Sequence, residues 1–399
     1  MTKKTNISIT IPDYVLEVMR TIWEAGEEVY IVGGCVRDAI LGKTPNDYDM
    51  TVSCPPQRTL EILSSFRTIP TGLAHGTVTA ISQGRPIELT TFRVDGSYTD
   101  MRRPDSVSFT RSLADDLSRR DFTVNAMAYS PKTSLIDLFD GIDDAEAGMI
   151  RAVGEPEKRF SEDALRIMRA FRFSAQLGFD IHPDTLSGAV SCRDGLSRIA
   201  KERISAEFIK LICSPHPEKP LLLMKELGIL AFVTPNYTPS DRVIGLLSAM
   251  GESDEERLGM YFADADGQTA KEILSYLRCS NHQKSGAVAI SQNAHAKITE
   301  PRQVTALRAK IGDRALSAIR ASVLLGESPR EALSLAESNS APCKISDLAI
   351  GGGDLIALGI SGKDIGVTLE HLLLQVIDDP SLNSRESLTA LAIKKQKEE

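Results

Sequence analysis

The stretch Val32–Val52 reads VGGCVRDAILGKTPNDYDMTV. It opens on two glycines directly after the β-branched run Val29–Val32 (VYIV) and closes on two aspartates one residue apart. The run predicts a strand. Gly33 and Gly34 predict the turn after it, and Cys35–Leu41 a short helix. Strand, glycine turn and helix N-terminus together aim backbone N–H groups at one point, which suits a phosphate or simply a tight turn. In the first case Arg37, in the first turn of that helix, adds a charge-assisted contact. TPND is a turn and DYDMTV a strand. Residues i and i+2 of a strand share a face, so Asp47 and Asp49 present two carboxylates side by side. Such a pair suits Mg²⁺, which takes a few carboxylates and completes its octahedron with water and substrate phosphate. The plainer alternative is a turn cap at Asp47 and a surface acid at Asp49. Glu88, in the strand-like run PIELTTF (Pro86–Phe92), faces opposite Ile87 and Leu89. If that run neighbours DYDMTV, Glu88 is either a third carboxylate on the metal face or part of a polar outer face.

The remaining sequence sets the frame. At 399 residues it is too long for one small core, and two to four domains are expected. A composition 42% hydrophobic and 25% charged excludes the fibrous and disordered classes. The start, MTKKTNISITIPDY, lacks the apolar region of a secretory signal. The most apolar run, Leu221–Val233, is broken by Lys225 and Glu226, so no membrane association is expected. The six cysteines form no C-x-x-C pair and read as reduced thiols of a cytoplasmic protein. A net charge of -8 argues against wholesale coating by nucleic acid, but it leaves room for a local basic surface. No protein partner is evident.

The first third mixes strand-like runs (29–32, 77–82, 86–92) with short helical ones. From about Asp137 onward apolar residues recur at three- and four-residue spacing: Leu165, Met168 and Phe171, then Ile204, Phe208 and Leu211, then Leu221, Met224 and Leu227. CSPHPEKP (Cys213–Pro220) and TPNYTPSD (Thr234–Asp241) are breaks between helices. The expected architecture is α+β: a small mixed-sheet head followed by an all-helical remainder.

Two later stretches carry polar groups into apolar surroundings. SLADDLSRRDFTVNAMAYSP (Ser112–Pro131) holds Arg119, Arg120 and Asp121 in succession. Arginine and aspartate can contact phosphate and ribose hydroxyls, or can make only a cap and a salt bridge. RFSEDALRIMRAFRF (Arg159–Phe173) reads as a helix with Ser161 at its N-cap and acids in its first turn. Asp163, Arg166, Arg169 and Arg172 recur every third residue along it. Three arginines in line repel one another unless something anionic lies against them.

The strand, Gly-Gly turn, helix and D-x-D resemble the polymerase-β-like nucleotidyltransferase superfamily, which includes DNA polymerase β and the poly(A) polymerases. The resemblance implies two Mg²⁺ ions that activate a 3′-hydroxyl and clamp a triphosphate for in-line attack at the α-phosphorus. The strings from Ser112 and Arg159 resemble the ribose-binding and base-selecting motifs of the class II tRNA nucleotidyltransferases, the CCA-adding enzymes. That narrower resemblance implies Asp163 and Arg166 as a protein template. Carboxylate only accepts and guanidinium only donates. Cytosine (N4–H₂, N3) and adenine (N6–H₂, N1) match this order, whereas uracil and guanine reverse it. It further implies Gly33, Gly34, Arg37, Arg119, Arg120 and Asp121 as nucleotide contacts, with Arg169 and Arg172 on triphosphate or primer phosphate. Its substrates would be tRNA, CTP and ATP, and its metal Mg²⁺ on Asp47 and Asp49.

SRIAKERISAEFIKLI (Ser197–Ile212) resembles the motif that braces the template helix, with Glu202 and Arg203 as its polar members, and is read as structural. Thr90–Phe109, with Arg93, Asp95, Arg102 and Arg103, looks like the loop that lets the family switch from C to A. Leu348–Ile377 looks like the tail of bacterial members, in which Lys363 either touches the tRNA elbow or belongs to ordinary helix packing. His75 reads as a turn residue. The implied organisation is a catalytic head (1–140), a base-selecting neck (141–212), and a body (213–305) and tail (306–399) that bind tRNA. An A-adding relative, a poly(A) polymerase and a non-catalytic RNA-binding relative remain as alternatives.

Overall fold

Val29–Val32 forms β1, and the backbone turns at Gly33 into α2 (Gly34–Ile40), after α1 (Asp13–Glu24). Gly33 adopts φ +76, a left-handed value that L side chains rarely take, and this lets the helix start one residue earlier than Cys35. β2 spans Asp49–Val52. Asp47 therefore precedes the strand rather than opening it, but it and Asp49 are both exposed while Tyr48 between them is buried.

The computed structural model describes residues 7–96 and 107–398. The protein divides into two units, one ending at Asn236 and the other beginning at Tyr237. In the first unit α3 (Pro56–Ile62) precedes β3 (Arg67–Gly72), β4 (Thr77–Ser82) and β5 (Arg85–Thr91). A hairpin of β6 (Arg93–Asp95) and β7 (Val107–Phe109), helix α4 (Leu113–Ser118) and the pair β8 (Met127–Ser130) and β9 (Ser134–Asp137) complete the head. Residues 97–106, with Arg102 and Arg103 of the C-to-A loop, lie outside the described residues.

The seven-stranded sheet has the order β3-β4-β5-β2-β1-β8-β9. β2 and β5 run parallel with Asp49 opposite Glu88, whereas β1 and β2 run antiparallel with Val32 opposite Asp49. The Gly33 turn, Asp49 and Glu88 thus lie side by side across the central strands β1, β2 and β5. One face packs on α1 through Val15, Val18, Met19 and Ile22, all fully buried against Ile31, Met50 and Leu89. Side chains of this kind contribute roughly 1.5–3 kcal/mol each when fully buried.

After α5 (Gly141–Glu146) and β10 (Met149–Ile150) the unit is mostly helical. The segment read as one capped helix from Ser161 is two helices, α6 (Pro156–Glu162) and α7 (Leu165–Leu177). Pro156 starts α6, so Ser161 lies in its last turn and donates to the Lys158 carbonyl. Asp163 is extended (φ -141, ψ 103), and its Oδ1 accepts the Leu165 N–H at 3.0 Å, which restarts the helix. Leu165, Met168 and Phe171 are buried, as their spacing predicts. β11 (Asp180–Ile181), α8 (Pro183–Cys192), α9 (Lys201–Ile212), α10 (Glu218–Glu226) and α11 (Leu230–Val233) follow. The second unit is helical among its described residues. It runs through α12 (Asp241–Ile244), α13 (Asp254–Tyr261), α14 (Gly267–Tyr276), α15 (Asn281–Ser291) and α16 (Pro301–Ile311) to α21 (Arg385–Glu398).

Candidate active site

A cavity of about 400 Å³ opens in the first unit between the central strands β2 and β5 and helix α7. Asp49 and Glu88 line it from the sheet, Arg119, Arg120 and Asp121 from the segment after α4, and Asp163, Arg166 and Arg169 from the α6–α7 break and α7. Residues 114 positions apart in sequence, Asp49 and Asp163, thus share one wall. Gly33, Gly34, Arg37, Asp47 and Arg172 are not on that wall.

The Asp49 carboxyl keeps solvent contact through the mouth of the cavity. Loss of hydration, together with the carboxylates of Asp47 and Glu88, nevertheless pushes its pKa up to about 6, against the pull of Arg120. Two glycine-turn residues frame this corner. A Cβ on Gly33 would stand 3.4 Å from Arg120 Nη1, and one on Gly34 would stand 3.5 Å from Arg37 Nη2. Arg37 is buried: it donates to Asn125 Oδ1 at 2.6 Å and to Asp38 Oδ1 at 2.7 Å, and it sits over the Phe173 ring. In this structure it fixes the turn.

Arg119 and Arg120 are held from behind by Asp116, which is fully buried. Its Oδ1 accepts from Arg119 at 2.7 Å, and its Oδ2 accepts from Arg120 at 3.1 Å and from the Thr51 hydroxyl at 3.2 Å. Burial works to raise the Asp116 pKa, but the two guanidinium groups hold it below the usual carboxylate range. Thr51 lies two residues after Asp49 on β2, so one carboxylate ties the acid-bearing strand to both arginines. Asp116→Asn removes that charge while keeping the shape. It should raise KM for nucleotide by roughly 10–100-fold in steady-state assays, with a smaller change in kcat and RNA affinity within about threefold. Asp116→Ala leaves two arginines without their buried counter-ion and should also destabilise the fold by about 3 kcal/mol in denaturant titration. A folded Asp116→Asn protein with unchanged nucleotide KM would show that Asp116 only stabilises.

The arginine row is neutralised from within. Arg169 bonds Asp121 at 2.6 Å, and Arg172 is buried against Glu207 of α9 and Gln176. Arg37, Arg169 and Arg172 all approach the Phe173 ring, Arg172 as close as 3.8 Å to its centre. Burial works to raise the Asp121 pKa, but Arg169, Arg166 and the Phe122 N–H hold it below the usual range. The anion that keeps Arg172 in place is a protein carboxylate.

The Arg166 N–H donates to the Asp163 carbonyl at 2.9 Å, but among the described contacts the two side chains do not bond one another; each is fixed by other groups. Asp163 Oδ2 accepts from Arg203 Nη2 at 2.8 Å. Arg166 Nη1 donates to Glu162 at 2.5 Å and to the Arg159 carbonyl at 3.1 Å, and Nη2 donates to the Arg119 carbonyl at 3.1 Å. Arg203, read as a brace, also lines the cavity. In the sequence it is legible only as a charged residue entering the apolar pattern of α9. Arg203 Nη1 and Arg120 Nε are buried donors without a partner among the described residues, each at a cost of about 1–3 kcal/mol until something accepts from it.

Among the described residues no group of three or more His, Cys, Asp or Glu forms a metal cage. The donor set still fits Mg²⁺, which uses one or two carboxylates and takes its other oxygens from water and substrate phosphate.

A family model described as the poly A polymerase head domain matches residues 29–151. A second, described as a probable RNA and SrmB-binding site of polymerase A, matches residues 178–240. The CCA-adding enzyme of Levilactobacillus brevis is 36% identical over 381 residues, a match that covers 94% of the present sequence and 95% of the relative's. This protein belongs to the CCA-adding enzyme family. Another relative in the family, from Leuconostoc mesenteroides, is 35% identical over 393 residues and is covered to 94% on each side. The crystal structure of the Bacillus stearothermophilus CCA-adding enzyme in complex with CTP superposes with a TM-score of 0.81 at 30% identity, covering 97% of the present structure and 98% of that one. The family's class II polymerase-β-like head and helical remainder are the fold described above.

Proposed function

We propose that this protein adds the 3′-terminal C, C and A to tRNA from CTP and ATP without a nucleic-acid template, releasing pyrophosphate. The observation that carries the reading is the cavity that holds the Asp49–Glu88 acids together with Asp163 and Arg166. Full-length similarity to CCA-adding enzymes supports it over a poly(A) polymerase or a retired RNA-binding relative.

Asp47 and Asp49 would hold Mg²⁺, with Glu88 beside them; bound there, the metal supplies charge neutralisation at the triphosphate and a more nucleophilic 3′-hydroxyl. Arg119 and Arg120, fixed by Asp116, donate to phosphate oxygens and ribose. Asp121 orients Arg169 toward the same anion. Asp163 accepts from the exocyclic amine of C or A, and Arg166 donates to the adjacent ring nitrogen. Gly33 supplies the left-handed φ of +76 that turns β1 into α2, a conformation that side-chain-bearing residues rarely adopt. Arg37 and Arg172 act by holding the turn and α7 in place. We assign 1–140 as catalytic head, 141–212 as base-selecting neck, and 213–305 and 306–399 as the RNA-binding body and tail. All six cysteines are free, and among the described residues no helix is long and apolar enough to cross a membrane, which supports a cytoplasmic enzyme.

The test uses Mg²⁺ and three transcripts, ending at the discriminator base, at C and at CC, with CTP, ATP or both, and sequencing of the products. Completion of all three to CCA is expected. Extension of the CC-ending transcript alone would make the protein an A-adding enzyme. Long A tails on unrelated RNA would make it a poly(A) polymerase, and no extension would end the enzymatic reading.

A further inference from the structure

The walls of the catalytic cavity divide by chemistry. Arg119, Arg120, Asp121, Asp163 and Arg166 carry the groups assigned above to the incoming nucleotide. The side formed by β4, β5 and β6 carries none of these; Thr77, Glu88, Thr90 and Arg93 line it. Thr77 and Thr90 are cross-strand partners whose hydroxyls lie 3.2 Å apart. Transfer needs two reactants held together, and the attacking 3′-hydroxyl must stand beside the acids where the nucleotide does not. The β4–β5 side is left for it.

Among the described residues no aromatic side chain lines the cavity itself. One stands at its rim. Phe109 on β7 is directly opposite Arg93 on β6, so the two side chains share a face of the hairpin. Phe109 is 42% exposed, and every other aromatic ring among the described residues of the first unit is buried or half-buried. A lone exposed phenylalanine is ordinary, but this one is seated. A Cβ on Gly76 would come within 2.8 Å of Phe109 Cε1, so the ring edge rests where a side chain is missing. Gly76, at φ +86, ends the 3₁₀ turn Leu73–His75 and immediately precedes Thr77 of the cavity wall. The Thr91 N–H donates to the Gly76 carbonyl at 2.9 Å, and Arg93 donates to the His75 carbonyl. The turn that seats the ring is thereby tied to both β5 and β6.

We propose that Phe109 is the stacking platform for the last base of the RNA acceptor strand, holding the 3′-hydroxyl of that strand in place for attack. No template strand pairs with the growing end, so its last base has a free face. That base changes at each addition, from the discriminator base to C and to C again. Stacking tolerates the change because every base has a π-face, whereas hydrogen bonds to one base edge would not. The inference rests on the reading that this cavity extends RNA.

The experiment is a double-mutant cycle with the full-length protein. Wild type and Phe109→Ala are compared on a tRNA transcript ending at the discriminator base and on the same transcript with that one base removed and its ribose kept. Both kcat/KM for CTP incorporation and Kd for the RNA are measured. On the intact transcript Phe109→Ala should lower kcat/KM roughly 10–100-fold, the range for loss of one base–aromatic stack. KM for CTP at saturating RNA should stay within about twofold, because nucleotide binding is untouched. On the abasic transcript the two proteins should agree within about threefold, since the stack is already gone. Removing the base should weaken wild-type binding about fivefold and the variant less than about twofold. Phe109→Trp and Phe109→Tyr should keep transfer near the wild-type rate, and Phe109→Leu should behave like alanine. An alanine variant as active as wild type, losses that multiply across the cycle, or restoration by leucine would each overturn the platform. Coupling in Kd with no CTP incorporation by the wild type would count against the enzymatic reading alone.

Discussion

Asp49→Ala is expected to abolish nucleotide transfer while leaving RNA binding nearly intact. The expected loss in single-turnover incorporation of labelled CTP is on the order of 10⁴-fold, equivalent to about 5–6 kcal/mol of transition-state stabilisation. Three features of the fold lead to this. Asp49 is the first residue of β2, so its backbone is fixed by two neighbours in the sheet, opposite Val32 and opposite Glu88. Its carboxylate faces a cavity lined by arginines rather than an arginine of its own. The acids around it, Asp47 and Glu88, disfavour its charge, an arrangement that makes sense when a cation arrives with the triphosphate. Removing the carboxylate should therefore leave the melting temperature of the free protein unchanged or slightly raised. Asp47→Ala is expected to abolish transfer as well, although Asp47 is exposed ahead of the strand. Filter binding with labelled tRNA should show Kd within about threefold for both variants. Transfer within tenfold of wild type in either one would remove that residue from the metal site.

Much of this site can be read from local pattern, and the parts that cannot are long-range. β1 and β4 match their β-branched runs because each is bounded by glycine or serine and needs no partner to be recognised. The pairing of β2 with β5 is different. Nothing in either segment encodes that Asp49 stands opposite Glu88 rather than two residues away; the shared sheet core decides it. The break at Asp163 is also hidden. Ser161-Glu162-Asp163 has the composition of a helix start, and only Pro156, seven residues before Asp163, shows that a helix is already under way. The arginines of α7 show the same limit. Their spacing demands a counter-anion, and a bound phosphate and Glu207 satisfy that demand equally well at the level of sequence. Asp116 is invisible for a related reason: an aspartate in an acidic LADD run looks like a solvated face, until the fold buries it under two arginines.

On the proposed template role of Asp163 and Arg166, the break at Asp163 bears on base choice. Within one regular helix, Asp163 and Arg166 would be neighbours one turn apart and free to pair with each other. Breaking the helix separates their duties. Asp163 is turned by Arg203 and the Leu165 N–H, and each of its oxygens keeps a lone pair for an incoming amine. The three side-chain hydrogen bonds of Arg166 described above use Nη1 and one Nη2 hydrogen, leaving Nε and the second Nη2 hydrogen for a ring nitrogen. An acceptor and a donor held apart by other partners form an edge that cannot collapse on itself, and uracil or guanine would meet it with like groups facing. A site built this way rejects the wrong partner by factors on the order of 10⁴. Asp163→Ala and Asp163→Asn should therefore lower the preference for CTP over UTP by at least about 100-fold, measured as the ratio of kcat/KM values on a tRNA lacking CCA. The two variants divide the explanation. Alanine also removes the acceptor that restarts α7, whereas asparagine can still accept from the Leu165 N–H and presents an amide donor to the base. If base reading is the role of Asp163, asparagine loses selectivity as severely as alanine and incorporates UTP measurably, with tRNA affinity within about threefold. If its role is only to start α7, asparagine keeps the wild-type preference, and the template assignment fails.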